Sequence, residues 1–220
     1  MMIGVIGDVH GEFLTIESIM KDNSEIKCWI CTGDLADKTM EYLSPPAPLY
    51  WISGNHENWD EIEKMENGIL KIPNFIHMIN AETVQLGKTR ILGMGGNYSP
   101  TYYGFKKAEL PKSRKRHYVK DEIEKCLNTR SIDILITHEA PSPYYRNGED
   151  IGRQEITDIL RATKPGIHFF GHHHKFGVFE IEKGIKSVCL DKPKNSWIKL
   201  DTESFRFEQI ITEFHFSGGF

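Results

Sequence analysis

Apolar runs, many of them β-branched, alternate with amphipathic stretches from the first residues of the chain onward. Met2–Ile6 and Ile26–Cys31 are two such runs, and each predicts a short buried strand. Between them, apolar residues recur at the spacing of one helical face, which predicts a helix over 12–22. Strand, helix and strand in this order predict a parallel pair with a right-handed crossover.

The same alternation continues through the rest of the chain. Further strands are predicted at Leu49–Ile52, 75–78, 82–86, 90–93, Ile132–Thr137, Ile167–Phe170, 176–182, 185–190, 196–200 and 205–211. Further helices are predicted at 58–67, 119–128 and 152–163, and a loop that contains Tyr144, Tyr145 and Arg146 is predicted before the last of them. The Gly87-Lys88 turn predicts a hairpin, and the last four strands are expected to form an antiparallel sheet. We therefore predict a single α/β domain over residues 1–220, with Ser217–Phe220 loose at its end.

Residues 94–118 depart from this pattern and read as a basic, tyrosine-bearing insertion. Tyrosines such as Tyr98 can stack on bases, and cations such as Arg114 and Arg116 can meet phosphates. We predict these three residues as substrate contacts, with a nucleotide or nucleic acid as one candidate substrate. The competing interpretation, a solvated charged loop, is slightly favoured for such a segment.

The overall composition narrows the class of protein. A hydrophobic fraction of 39% and a charged fraction of 26% are typical of a globular protein, and a net charge of -4 argues against a general nucleic-acid binder. No signal peptide or membrane-length apolar run is evident, so no membrane partner is expected. The four cysteines are scattered, which favours a reducing cytoplasm. Cys28 and Cys31 should point to opposite faces of one strand, which disfavours a Cys-x-x-Cys site.

Candidate metal ligands follow five of the predicted strands. They are Asp8 and His10, then Asp34, then Asn55 with His56, then His138, then His172 with His174. Oxygen and imidazole donors suit borderline divalent ions, and we expect Mn²⁺, with Fe, Zn or Ni as alternatives. One octahedral ion cannot accept so many groups, whereas two ions about 3.5–4 Å apart, bridged by a carboxylate, can. No such pattern surrounds the remaining histidines, His77, His117, His168, His173 and His215, which we expect not to be ligands.

Five short motifs in a fixed order carry a resemblance to a known superfamily. They are Asp-x-His at Asp8, Gly-Asp-x-x-Asp at Gly33, Gly-Asn-His-Glu at Gly54, a histidine after an apolar strand at His138, and Gly-His-x-His at Gly171. Over roughly residues 2–180 the chain resembles the calcineurin-like metallophosphoesterases. The resemblance implies a two-sheet β-sandwich flanked by helices, with the active site on loops at the carboxyl ends of strands.

The resemblance also implies a role for each motif residue. Asp8, His10, Asp34 and His174 would hold one metal ion, and Asp34, Asn55, His138 and His172 the other, with Asp34 bridging. His56 corresponds to a catalytic histidine that faces the leaving-group oxygen, and Asp37 to the acid that orients it. A hydroxide that bridges the two metals would then attack phosphorus in line.

The substrate is less constrained than the chemistry. Lys38-Thr39 follow Asp37 where the related Ser/Thr protein phosphatases carry an arginine, which argues against that branch. The compact size is similar to that of small phosphodiesterases. Gly95–Tyr98 and the stretch from Thr137 to Pro141 faintly resemble RNA lariat debranching enzymes, which are longer and carry cysteine at the position of Asp8. We predict a dinuclear-metal phosphodiesterase; the alternatives are a phosphomonoesterase or protein phosphatase, a debranching-like nuclease and a non-catalytic scaffold.

Overall fold

Two six-stranded sheets face each other in a computed structural model that describes residues 1–37 and 40–213. The α-helices within those ranges are α1 (Phe13–Asp22), α2 (Trp59–Glu66), α3 (Lys120–Asn128) and α4 (Gln154–Thr163). The strands of the first half are β1 (Met2–Ile6), β2 (Trp29–Cys31), β3 (Leu49–Trp51), β4 (Phe75–His77), β5 (Thr83–Leu86), β6 (Thr89–Met94) and β7 (Ile134–Thr137). Those that follow are β8 (Tyr145–Arg146), β9 (Glu149–Asp150), β10 (Ile167–Phe170), β11 (Gly177–Glu182), β12 (Ile185–Cys189), β13 (Ser196–Asp201) and β14 (Phe207–Ile211).

Each sheet has a parallel centre and antiparallel additions. The first sheet runs β14-β13-β1-β2-β3-β4, with β1 to β4 parallel and β13 antiparallel to β1. The second runs β11-β12-β10-β7-β6-β5, with β6, β7, β10 and β12 parallel. The predicted pairing of the first two strands around α1 and the predicted β5–β6 hairpin are both confirmed.

Three apolar layers hold this arrangement together. Alternation along β2 shows why, because Ile30 packs between the sheets while Trp29 and Cys31 pack on the opposite face against α1 and α2. A third layer packs α3 and α4 against the outer face of the second sheet. The result is a helix–sheet–sheet–helix sandwich, which confirms the predicted α/β fold class.

Two local predictions were wrong. The four C-terminal strands do not form one antiparallel sheet, because β11 and β12 extend the second sheet while β13 and β14 extend the first. The segment between Tyr144 and α4 was predicted as a loop but contains the hairpin β8–β9. Its turn is Asn147-Gly148, with both residues at positive φ, so the local turn signal was present in the sequence.

The topology sets one edge of the sandwich apart. Parallel strands of both sheets end at that edge, so the loops that follow β1, β2, β3, β7 and β10 converge there. Residues 94–118 leave β6 at the same edge and contain two short 3₁₀ turns, Lys107–Glu109 and Lys112–Arg114.

The remaining sequence predictions concern membrane spans, the cysteines and the C-terminal residues. Within the described ranges, no helix is both long and apolar enough to span a bilayer. All four cysteines are free, and Cys28 and Cys31 face opposite sides of the first sheet as predicted. The predictions for His215 and Ser217–Phe220 concern residues outside the described ranges.

Candidate metal centre

The strand-end loops bring the predicted ligands into two adjoining groups. The first group comprises Asp8, His10, Asp34 and His174, and the second comprises Asp34, His138 and His172. Within each group, one donor atom per residue lies within 4.8 Å of every other. Asp34 belongs to both groups, which is the arrangement a bridging carboxylate requires.

In the first group, imidazole nitrogens face one another and a carboxylate. His10 Nε2 lies 2.9 Å from His174 Nε2, and His174 Nε2 lies 2.9 Å from Asp8 Oδ2. Two imidazole lone pairs cannot point at each other at this distance unless a proton or a cation lies between them. The donor set therefore fits a divalent cation.

The second group has one ligand whose tautomer is fixed. Nδ1 of His138 lies 2.9 Å from the carbonyl oxygen of Thr32, which can only accept, so Nδ1 carries the proton. Nε2 of His138 therefore presents its lone pair to Asn55 Oδ1 at 2.9 Å and to His172 Nδ1 at 3.2 Å. Such a hydrogen bond from the far ring nitrogen is the usual support of a metal-binding histidine.

Asp34 offers a different oxygen to each group. Its Oδ2 lies 3.8 Å from His10 Nε2, and its Oδ1 lies 3.4 Å from His138 Nε2. The carboxylate can approach the β3 loop only because residue 54 is glycine, since a Cβ there would collide with Asp34 Oδ1. The backbone amide of His56 also donates to Oδ1 at 2.7 Å. These contacts fix the carboxylate between the two groups.

Four of the predicted ligands have an unusual backbone conformation. The φ angles are 48° at His10, 50° at Asp34, 67° at His172 and 49° at His174. A non-glycine residue in this left-handed region costs on the order of 1–3 kcal/mol, and such residues cluster at functional sites. Backbone hydrogen bonds hold the loops in place, since the Asp34 carbonyl accepts from the amides of Val9 and His10.

The buried carboxylates and imidazoles shift one another's pKa values. Burial opposes ionisation of Asp8, but the hydrogen bond to His174 and nearby imidazoles hold its pKa below the usual value. Burial would lower the pKa of His138, yet the charges of Asp34 and Asp8 raise it. Burial lowers the pKa of His172 to about 3. An ionised Asp8 beside a neutral His172 is the combination of protonation states that metal binding requires.

His56 and Asp37 lie at the mouth of this centre. His56 Nδ1 is 3.4 Å from Asp37 Oδ1, and the two side chains are 53% and 60% exposed. The His56 ring lies edge-on to that of His10, with centroids 5.5 Å apart. His56 is therefore beside the first group without belonging to it, and it is open to solvent.

Glu57 is a residue for which the sequence suggested no role, although it ends the Gly-Asn-His-Glu motif. Its buried carboxylate accepts hydrogen bonds from the amides of Leu35 and Gly54, at 3.2 and 3.0 Å, and from the Tyr42 hydroxyl. Burial raises its pKa to about 8. Glu57 joins the loops that carry Asp34 and Asn55, and only the three-dimensional arrangement reveals this.

The three predicted substrate contacts lie in different surroundings. Tyr98 packs with Tyr103 and Tyr118, and the Arg153 guanidinium lies 5.5 Å from its ring centre, so this ring is engaged inside the protein. Arg114 lies over the ring of Tyr102 at 5.6 Å. Arg116, in contrast, lines a cavity that also contains Asn55. The structure thus brings Arg116 near Asn55, one of the predicted metal ligands.

The histidines expected not to be ligands lie outside both donor groups wherever the structure describes them. His173 stacks on Tyr144 with ring centres 4.5 Å apart. His168 is buried between the hydroxyls of Thr137 and Ser187, and His117 stacks on Tyr102. His77 packs on Trp51.

The sequence of the chain is similar to that of known proteins. A family model described as calcineurin-like phosphoesterase matches residues 1–176. Lariat debranching enzyme A of Xenopus laevis is 26% identical over 260 residues, which cover 87% of this chain and 48% of that protein. The lariat debranching enzyme of Arabidopsis thaliana is 22% identical and covers 97% of this chain and 66% of its own length. The chain therefore spans about half of the Xenopus relative and two thirds of the Arabidopsis one.

Solved structures also share this fold. The crystal structure of TT1561 from Thermus thermophilus superposes with a TM-score of 0.71 at 13% identity, covering 96% of this chain and 98% of that one. At this identity the match supports the fold alone.

Proposed function

The chain belongs to the calcineurin-like phosphoesterase family, and on that premise we propose that it hydrolyses phosphodiesters with two divalent metal ions. The observation that carries the proposal is the pair of donor groups that share Asp34, each oxygen of which faces a different group. A single structural ion would need neither the second group nor a shared carboxylate.

The donor sets fit the ions that the family implies. Asp8, His10, Asp34 and His174 would hold one ion, and Asp34, Asn55, His138 and His172 the other. Mixed carboxylate, amide and imidazole donors suit Mn²⁺, which we propose as the physiological ion, with Fe, Zn or Ni as alternatives. Bound divalent ions lower the pKa of water and stabilise charge that develops on phosphoryl oxygens.

We assign proton transfer to His56. Its ring borders the first donor group and is half exposed, so it can reach a substrate oxygen and exchange protons with solvent. Asp37 lies 3.4 Å from Nδ1, which leaves Nε2 free to donate a proton to the leaving-group oxygen. The amide of His56 also holds Asp34, so the catalytic histidine and the shared carboxylate are positioned together.

Two observations support a diester rather than a monoester. Asp37 is followed by Lys38-Thr39, so this loop lacks the arginine with which related phosphatases clamp a terminal phosphate. The Xenopus and Arabidopsis relatives are both named lariat debranching enzymes, which makes a debranching nuclease a second candidate. The resemblance to debranching enzymes implies a cysteine at the position of Asp8, so the carboxylate present here favours the general phosphodiesterase.

Initial rates on bis(p-nitrophenyl) phosphate and p-nitrophenyl phosphate, measured side by side after metal stripping, test the proposal. We expect diester turnover that is absent from the stripped protein and returns with Mn²⁺. The Asp34→Asn variant, purified in parallel, controls for contaminating phosphatases. A branched trinucleotide compared with its linear isomer distinguishes debranching from general diester hydrolysis.

Each other outcome points elsewhere. Faster turnover of the monoester would identify a phosphatase. Metal-independent turnover would remove the role of the donor groups. Silence on every substrate with Mn²⁺, Fe²⁺, Zn²⁺ and Ni²⁺ would leave a non-catalytic scaffold of the same fold.

A further inference from the structure

A cavity of about 280 Å³ opens beside Asn55, between the start of α2 and residues 112–116. Trp59, Lys112, Ser113 and Arg116 contribute to its walls. Two acids also line it, but Glu57 is hydrogen-bonded to the amides of Leu35 and Gly54, and Asp60 is paired with Lys112. Ligand pockets range from about 300 to 1,000 Å³, so this one suits a single ring system rather than a long chain. Because Asn55 is a proposed ligand of the second metal ion, whatever occupies the cavity lies next to the scissile phosphate.

Trp59 gives the cavity an aromatic wall. The side chain is half-buried against the first apolar layer, and no other aromatic ring stacks on it within residues 1–37 and 40–213. Trp59 also lines a second cavity with Ser53 and His77. An aromatic ring that borders open space is suited to stacking a planar group such as a nucleobase.

Arg116 gives the cavity an unneutralised cation. Neighbouring Lys112 is paired with Asp60 and, at 2.9 Å, with Glu63. In the part of the chain that the structure describes, no carboxylate lies within 4.0 Å of the Arg116 guanidinium, whose Nε contacts only His117 Nε2 at 3.4 Å. Its donors are therefore available to an anion, and a guanidinium matches the geometry of a phosphate.

The backbone fixes this cation relative to the metal centre. The carbonyl of Arg116 accepts a hydrogen bond from the amide of Asn97 at 2.9 Å. The adjacent amide of Gly96 donates to the carbonyl of Ser53 at 2.7 Å, two residues before Asn55. Arg116 is thus held through two short contacts to the loop that carries a proposed ligand.

We infer that this cavity, the Trp59–Arg116 pocket, binds the nucleoside next to the scissile phosphate, with its base on Trp59 and the following phosphate on Arg116. The inference rests on the proposed phosphodiesterase function and names its substrate class as a nucleotide strand. A base and a flanking phosphate together match the two groups that the pocket presents, an aromatic face and an unpaired guanidinium.

The test uses dinucleotides, in ribose and deoxyribose series, that differ in one feature at a time. One set carries or lacks a terminal phosphate, and another carries both bases or has one replaced by an abasic sugar. The variants are Arg116→Gln and Trp59→Leu, with Trp59→Phe as the conservative replacement. Arg130→Gln, at an exposed arginine two residues after α3, and Phe105→Leu, at an exposed aromatic residue, are the matched controls.

We expect Arg116→Gln to raise KM roughly ten-fold or more for substrates with the terminal phosphate and to leave those without it unchanged. We expect Trp59→Leu to raise KM by about five- to hundred-fold when both bases are present, with the effect lost on the abasic substrate and largely reversed in Trp59→Phe. Neither control should discriminate between substrates. A discriminating effect in either sugar series supports the pocket.

The outcomes separate the pocket from the proposed function. If wild-type protein turns over no diester, the proposed function fails, and the pocket is then tested by quenching of Trp59 fluorescence with a phosphorothioate dinucleotide, using Trp59→Phe as the blank. If wild-type protein is active but both variants change all substrates equally, the pocket inference is overturned. Equal quenching in wild type and Trp59→Phe would overturn it as well. Thermal melts of each variant exclude an effect of unfolding.

Discussion

The strand-end loops and residues 94–118 are both rich in charged and aromatic side chains, but the charged groups have different partners in the two regions. In the loops, carboxylates and imidazoles face one another across two donor groups. In residues 94–118, all four lysines are paired with acids of α2 and α3: Lys106 with Asp121, Lys107 with Glu122, Lys112 with Asp60 and Glu63, and Lys115 with Glu63.

This contrast distinguishes charged side chains that stabilise the fold from those that remain available to a ligand. An internally neutralised lysine fixes the insertion to its neighbours and has little left for a ligand. The sequence pattern suggested either a basic binding surface or a solvated loop, and the structure shows a third arrangement in which most of the cations are anchors. Of the lysines and arginines in residues 94–118, only Arg114 and Arg116 have no carboxylate within 4.0 Å in the part of the chain that the structure describes.

We expect the largest effect from removing the carboxylate of Asp34, which the two donor groups of the strand-end loops share. Asp34→Asn should lower kcat by roughly 10³-fold or more, because the shared oxygen donor contributes several kcal/mol through the bound ions. The variant should also bind less than the wild-type amount of metal at both sites, measured by elemental analysis after dialysis. Full metal occupancy in this variant would show that Asp34 is not shared.

His56 lies at the mouth of the centre, outside the donor groups, so its removal should affect the rate but not the metal content. His56→Ala should retain wild-type metal content but lose roughly 10²–10⁴-fold in kcat, the usual contribution of a general acid. Substrates with a good leaving group should lose least, because they need little protonation. An unchanged rate on a poor leaving group would remove His56 from the mechanism.

His168 provides a buried histidine with a purely structural environment, next to the strand that leads to His138. The Thr137 hydroxyl donates to the Glu139 carbonyl, so it accepts from His168 Nε2, and Ser187 meets Nδ1 at 3.0 Å. Burial lowers the pKa of His168 to about 3. The unfolded chain, with a pKa near 6.5, therefore binds more protons, and stability falls as pH falls from 6.5 toward 3.

This linkage predicts a measurable difference between wild type and His168→Gln in metal-free protein. Between pH 7 and pH 4 the free energy of unfolding of wild type should drop by about 3 kcal/mol more than that of the variant. Urea titrations across this pH range measure the difference. Parallel pH profiles would mean that His168 does not titrate as a buried neutral group.

We expect the smallest effect from freeing paired lysines of residues 94–118, so that they can bind a phosphate. Glu63→Gln releases Lys112 and Lys115 from one carboxylate, and since solvent screens these exposed pairs it should change stability very little. Binding of a single-stranded oligonucleotide should become more salt-dependent, by about 0.7 in the logarithmic slope for each new phosphate contact.

Glu25→Gln, which frees Lys199 of β13 away from the strand-end loops, is the matched control and should leave the slope unchanged. If Glu63→Gln behaves like Glu25→Gln, the paired lysines are too distant from the bound strand to matter. The pairing of charge would then not be what separates the insertion from a binding surface.

The sequence by itself determined the elements and the donors. Apolar runs and helical spacing predicted most strands and helices, because periodicity is a local property of the chain. Five ordered motifs indicated which residues carry carboxylate, amide and imidazole groups at strand ends. The Asn147-Gly148 turn was also readable, although the prediction passed over it.

Tertiary structure alone decided which segments, distant in sequence, pair and pack with one another. The C-terminal hairpins divide between two sheets because β12 pairs with the nearby β10, whereas β13 pairs with β1 at the opposite end of the chain. The role of Glu57, the left-handed backbone of His10 and the pairing of Lys112 likewise depend on residues brought together only by folding. Local pattern specifies what each segment can form, whereas the energy of burial and of charge pairing, summed over segments remote in sequence, selects which of those possibilities coexist.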